Sequence, residues 1–217
     1  NRRSSLFYAP PVDAIRNSLF FAGITVLLSL TIGLLASMAL ERRSRLNNLF
    51  NPLLMLPLGT SALTVGLGMI ILFNQAEFNL LSSPLLLPLA HSLVALPFVV
   101  RTIHPALASI PMSLKHAASV LGASPFVVWR EVILPIIWRA GLVGGLFAFT
   151  ISLGEFGATS FLSRPEYPTM PIAISRFLSL PGALNYGQAM AMATILMVIC
   201  AACLLLIERL ERHFMTS

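Results

Sequence analysis

The sequence predicts an all-α integral membrane protein, a polytopic helical bundle of five spans, on three observations. Hydrophobic residues make up 57% of the 217 and charged residues only 10%, against about 25% charged in soluble domains. Uncharged apolar runs recur at about the 20 residues that a helix needs to cross a hydrocarbon core of about 30 Å with its backbone polar groups satisfied internally. Lys and Arg gather in the gaps between those runs, as they do where membrane topology is encoded. The net charge of +6 therefore reads as topology and not as a nucleic-acid surface.

The first span is Asn17 to Leu40, stopped by Glu41, Arg42, Arg43 and Arg45. A second lies from about Pro52 to Phe73, with kinks expected at Pro57 and at Gly66/Gly68. The third runs from about Pro84 to Val100. The fourth starts after Arg139 and continues past Glu155 to about Leu162, and the fifth is Gly187 to Ile207. Arg42, Arg43, Arg45, Arg101, Lys115, Arg130, Arg139, Arg209 and Arg212 fall on one side of this arrangement, and Arg2, Arg3, Arg16, Arg164 and Arg176 on the other. The richer side is expected to be cytoplasmic, which puts the C-terminus inside and the first residue outside. The chain opens on NRRSS with neither Met nor a signal pattern. It reads as one domain, 1–217, of a longer polypeptide.

Catalytic constellations are missing from the sequence. No Ser/His/Asp set, carboxylate pair or metal motif stands out, and Cys200 and Cys203 lie in the last apolar run, where thiols pack as small hydrophobes. His91 and His104, near the third span, are expected to be hydrogen-bonded structural histidines. Transport therefore outranks catalysis. An ATP-independent secondary transporter or channel is the alternative, and inverted repeats or several midplane charges would favour it.

The long loop between spans three and four, residues 104–135, has the most explicit local chemistry. Pro111 starts a helix in which Leu114, Ala117, Ala118 and Leu121 recur at helical spacing. Gly122 supplies a left-handed terminator, and Ser124-Pro125 caps a second helix carrying Phe126, Trp129, Val132 and Ile133, which Pro135 is expected to close.

This stretch resembles the EAA loop of the permease subunits of binding-protein-dependent ABC importers, whose pattern is E-A-A, three residues, G, nine residues, I-x-L-P. His116, Ala117, Ala118, Gly122, Val132, Leu134 and Pro135 keep that spacing, with His116 in place of the family's Glu and Val132 in place of Ile. The resemblance implies the ABC importer permease fold in the bacterial cytoplasmic (inner) membrane. It makes Met112 to Ala123, with Ser119 among them, a coupling helix that sits in a cytoplasmic ATPase, and it implies alternating access. The implied partners are an ABC ATPase dimer, an extracytoplasmic substrate-binding protein and a second permease half or copy. With no GxxxxGK[ST] loop and Lys115 as the sole lysine, this chain cannot itself cradle a nucleotide in that way. ATP and its Mg would belong to the ATPase, with no cofactor on this chain.

SLGEFGATSFLSRPEYPTMPIAI, Ser152 to Ile174, and NYGQAMAMATILM, Asn185 to Met197, are similar to the C-terminal half of iron(III)/thiamine-type permeases. That likeness implies iron(III) or thiamine as substrate, and it leaves polyamines, sulfate and molybdate open. Glu155, the acid inside an apolar run, is a candidate for the translocation path, against a boundary position solvated or paired with Arg164 or Arg176. Gly141, Gly144 and Gly145, with Ala148, are expected to allow close helix packing.

Overall fold

A computed structural model describes residues 11–41, 47–74 and 83–215; Arg2, Arg3, Arg42, Arg43 and Arg45, used above to orient the chain, lie outside them. The described residues form an all-helical bundle. Helix α1 is Pro11–Glu41, α2 Asn47–Gly59, α3 Ala62–Asn74, α4 Leu86–Ala108, α5 Met112–Val120, α6 Pro125–Val128, α7 Leu134–Gly154, α8 Gly157–Leu162, α9 Met170–Ser179 and α10 Ala183–Met215. A π-helical turn, Trp129–Ile133, joins α6 to α7, making Pro125–Gly154 one long helix.

Four of these units are long and apolar enough to cross a membrane: α1, α4, Pro125–Gly154 and α10. The fifth expected span is not one helix. Phe50–Gly59 and Ala62–Asn74 meet at 109°. Pro57 removes a backbone donor one turn upstream of the break, Thr60 Oγ1 bonds back to the Pro57 carbonyl at 3.3 Å, and Ser61 O takes the Val65 N–H as a new helix starts.

Three other boundaries differ from expectation. Helix α4 does not stop at Val100 but continues through Arg101 and His104 to Ala108, because Pro105 interrupts only one ladder bond where neighbouring helices hold the segment. The helix begun at Ser124-Pro125 is not closed by Pro135. The π turn widens the ladder immediately before Pro135, so the ring clears the preceding turn and the helix runs on. Span four also ends early: Glu155 takes an extended ψ of 115° after Gly154, and α8 is a separate helix.

Helices α1, α4 and α7 form the centre. Ala95, Val99, Ile103 and Ala148 are buried there against Val26, Leu30, Leu34 and Ile151. Small residues let the backbones close up: a Cβ on Gly33 would lie 2.6 Å from Val99 Cγ1, and one on Gly144 2.7 Å from Thr102 Oγ1. Gly145 meets Leu30 and Val26 of α1 at ordinary contact distance, while Gly141 faces open space. Helix α9 packs Met170, Ala173 and Phe177 against Ala14 of α1 and Ala189 and Met192 of α10. The outer faces of α1 and α10 leave Phe20, Leu27, Leu35, Met197, Val198 and Leu205 exposed, as a lipid-facing surface requires.

Candidate functional site

Two regions carry chemistry, one at each end of the long helices. The first is α5 and its turn. Ala123 N–H bonds to Ala118 O and Gly122 N–H to Ser119 O, both at 3.0 Å. These are the two bonds of a Schellman terminus, with Gly122 at φ +85° in the left-handed position. Ser124 then caps the next helix, its Oγ accepting from Val127 N–H at 3.4 Å with Pro125 following. The chain thus reverses between Val120 and Pro125, held by backbone bonds and one hydroxyl.

Helix α5 does not bury the apolar face that its spacing suggested. None of its residues is buried; Leu114 is half exposed, and Val120 and Leu121 are each 87% exposed. His116, Ala117 and Ser119 are exposed, with Ser119 Oγ bonded to Lys115 O. Phe126 is exposed as well, so the second helix is anchored instead by Val128, Trp129, Ile133 and Ile137, the last three packing with Leu107 and Ile110. Leu134 and Pro135 lie on the open side of the long helix. Between α5 and that helix runs a shallow groove of about 280 Å³, lined by Met112, Lys115, His116, Ser119, Pro125 and Val128. The ammonium of Lys115 pairs with the carboxylate of Glu41 at the far end of α1.

The second region is a buried polar cluster that the sequence did not reveal. His91 of α4 holds Ser152 Oγ of α7 at 2.8 Å through Nδ1 and Thr159 Oγ1 of α8 at 2.8 Å through Nε2. Ser152 Oγ is 3.2 Å from Thr25 Oγ1 of α1. Glu155, 7% exposed, turns its carboxyl into the first turn of α8: Oε1 accepts from Ala158 N–H at 3.1 Å, and Oε2 from Thr159 N–H and Oγ1, both at 3.0 Å. His91 Nε2 is 3.5 Å from Oε2. Four helices are thereby joined by side chains that satisfy one another where water is scarce. Separately, Ser18 Oγ accepts from Met170 N–H at 2.8 Å and Asn17 Nδ2 donates to Pro168 O at 3.1 Å, fixing the start of α9 to α1.

Near this end a cavity of about 500 Å³ opens beside Asp13, Arg16, Asn17, Phe20, Phe21 and Tyr167. Asp13 and Glu41 stand 28 residues apart on α1, so the cavity and α5 are separated by roughly 40 Å at 1.5 Å per residue. Cys200 and Cys203 lie within α10 as free thiols.

Comparison with known proteins supplies the context. Residues 29–215 match the family described as binding-protein-dependent transport system inner membrane component. The chain is 27% identical over 202 residues to the permease protein PhnV of Salmonella typhimurium LT2, named for 2-aminoethylphosphonate transport, covering 93% of this chain and 75% of that one. To the spermidine/putrescine transport system permease protein PotC of Escherichia coli K12 it is 29% identical over 189 residues, covering 87% and 70%. Among solved structures, a bacterial ABC transporter involved in import of the acidic polysaccharide alginate shares the fold with a TM-score of 0.73 at 17% identity, over 98% of this chain and 82% of that one. An amino acid ABC transporter aligns with a TM-score of 0.64 at 16% identity, over 96% and 94%.

Proposed function

The chain belongs to the family of binding-protein-dependent transport system inner membrane components, and on that premise we propose that α5 is the element through which a cytoplasmic ATPase drives the bundle. Membership carries the coarse activity. This is the permease of a binding-protein-dependent ABC importer, a multi-pass inner-membrane transport component and not an enzyme, in a family that binds no cofactor itself.

The observation that carries the proposal is the exposure of α5. A nine-residue helix is too short to persist on its own propensity, and this one buries none of its residues while offering Leu114, Val120 and Leu121 outward. Its ends are nonetheless sharply defined by Pro111 and by the Gly122 turn. Such a rigid, uncovered knob suits a partner cleft. His116, Ala117, Ala118, Ser119, Gly122 and Ala123 form it, with Leu134 and Pro135 in the helix behind; the segment from about 104 to 135 is then the cytoplasmic coupling loop. An ATPase dimer would serve two such knobs, one on this chain and one on a second permease half or copy. The cavity beside Asp13 and Tyr167 would face outward, towards the substrate-binding protein.

Glu155 then supports the path and does not line it, since both carboxyl oxygens are occupied by α8. For the substrate, the two named relatives above share a chemical feature, a primary alkylammonium group on a small polar solute. We favour that class over iron(III) or thiamine, which neither name supports.

Cysteine cross-linking tests the assignment. With Cys200 and Cys203 replaced, Ser119→Cys is expected to cross-link in membranes to a cysteine in the cleft of the cognate ATPase, and the yield should change when ATP is added. Absence of the cross-link with both proteins present would overturn the coupling role.

A further inference from the structure

We propose that the Lys115–Glu41 ion pair is a strut that transmits movement of α5 directly to α1, making Lys115 and Glu41 positioning residues of the transport cycle. The inference rests on the coupling role of α5 given above.

The chain connects α5 to only two of the long helices. Its N-terminal end follows α4 through Ser109, Ile110 and Pro111, and its C-terminal end leads through Gly122 to the Pro125–Gly154 helix. Helix α1 has no such covalent link, yet it packs along both α4 and α7 and contributes Thr25 to the buried cluster. At that end of α1, Leu34 and Met38 pack in the apolar cluster of Leu107, Ile110 and Ile137 that flanks α5, and the Lys115–Glu41 pair adds a direct link to α5 itself.

The disposition of Lys115 separates this role from a docking role. A basic residue on a helix that enters a partner cleft would ordinarily point outward to meet acidic groups there. Here the Lys115 side chain is 17% exposed, folded under α5 with its ammonium on Glu41, whereas His116 and Ser119 face out. The residue is one of only two in α5 that are even partly covered, the other being Ala118, which holds the Gly122 turn. A partly covered pair of this kind adds little to folding stability, so its loss leaves insertion and folding intact. Its effect is on direction: with the pair formed, a tilt of α5 is biased to carry the end of α1 with it; without it, α1 follows only through the apolar packing of Leu34 and Met38 beside Ile110 and Ile137.

The test uses the assembled importer in proteoliposomes, with its own ATPase and with the binding protein as purified from cells. ATP hydrolysis is measured with and without that binding protein for the native chain, Lys115→Glu, Glu41→Lys and the double exchange, alongside the Ser119→Cys cross-link in each background. Each single reversal is expected to keep the cross-link to the ATPase but lose stimulation by at least about fivefold, the lower end of ordinary coupling between sites. The double exchange is expected to recover it. Native stimulation in the single reversals, or no recovery in the double exchange, would overturn the strut. Loss of the cross-link in the chain with the native pair would instead remove the coupling reading on which the strut stands.

Discussion

At the scale of single residues, Glu155 shows how a charge-bearing side chain can sit in an apolar run with both carboxyl oxygens hydrogen-bonded inside the protein. Its two oxygens meet the N–H groups of Ala158 and Thr159, donors that the start of α8 would otherwise leave unpaired. Glu155→Gln presents an NH2 to one of those donors and leaves it buried and unsatisfied, at a cost of about 1–3 kcal/mol. The expected outcome is a lower midpoint of heat-induced loss of monodisperse protein in detergent, with the uptake KM of the surviving molecules unchanged. A raised KM at native stability would instead make Glu155 a path residue. The EAA-like turn was legible because its determinants are adjacent: Gly122 for φ, Ser124 for the cap, Pro125 for the first turn. The His91 cluster was not, because Ser152 and Thr159 lie 61 and 68 residues from His91 and Thr25 lies 127 from Ser152. Only the bundle brings them together.

At the scale of elements, the two interrupted spans explain each other. Helix α3 follows the 109° break and α8 follows the break at Glu155, and the two pack backbone to backbone. A Cβ on Gly66 would lie 2.7 Å from Ala158 Cα, and one on Gly157 3.0 Å from Ala62 Cβ. The first is a clash with backbone and the second is tighter than ordinary contact, so the pair is expected to behave as one body, its Met69 and Ala158 packed with Leu86 and Ala90 of α4. Gly66→Val must push α8 away, at about 1–3 kcal/mol for overpacking. It is expected to lower the thermal midpoint in detergent, while Gly68→Val, whose Cβ meets nothing within 4 Å among the described residues, leaves it near native; equal midpoints would show the contact to be slack. The uncharged stretches of α1 and α10 were readable as spans because length and apolarity alone decide them. The breaks were not, since Pro57, Pro105 and Pro135 are the same local signal with different outcomes. At Pro105 of α4 the lost bond is bridged, at Pro135 a π turn makes room, and after Pro57 the Thr60 hydroxyl, the Ser61 carbonyl that accepts from Val65 N–H and the packing of α3 on α8 make a bend stable.

At the scale of the whole molecule, the bundle sorts its charges by end. Arg101, Lys115, Arg130, Arg139, Arg209 and Arg212 lie on the halves of their elements towards α5, and Arg16, Arg164 and Arg176 lie towards the cavity beside Tyr167. The continuation of α4 through Arg101 and of the fourth span from Pro125 moves several of these from loops into helices, yet leaves each at the end to which the loop reading assigned it. Because translocation retains basic segments on the cytoplasmic side, the α5 end is expected inside, where an ATPase can reach it. Two single-cysteine chains lacking Cys200 and Cys203 decide the matter. Glu166→Cys, exposed beside the cavity, is expected to react with a membrane-impermeant maleimide added to cells whose outer barrier has been opened. Val120→Cys, 87% exposed at the tip of α5, should react only after the inner membrane is also permeabilised. The reverse pattern would put α5 outside, beyond the reach of any cytoplasmic ATPase, and the coupling role and the strut would fall together. The expected pattern makes the roughly 40 Å between the cavity and α5 the distance over which α1, α4 and α7 must carry a movement begun at α5.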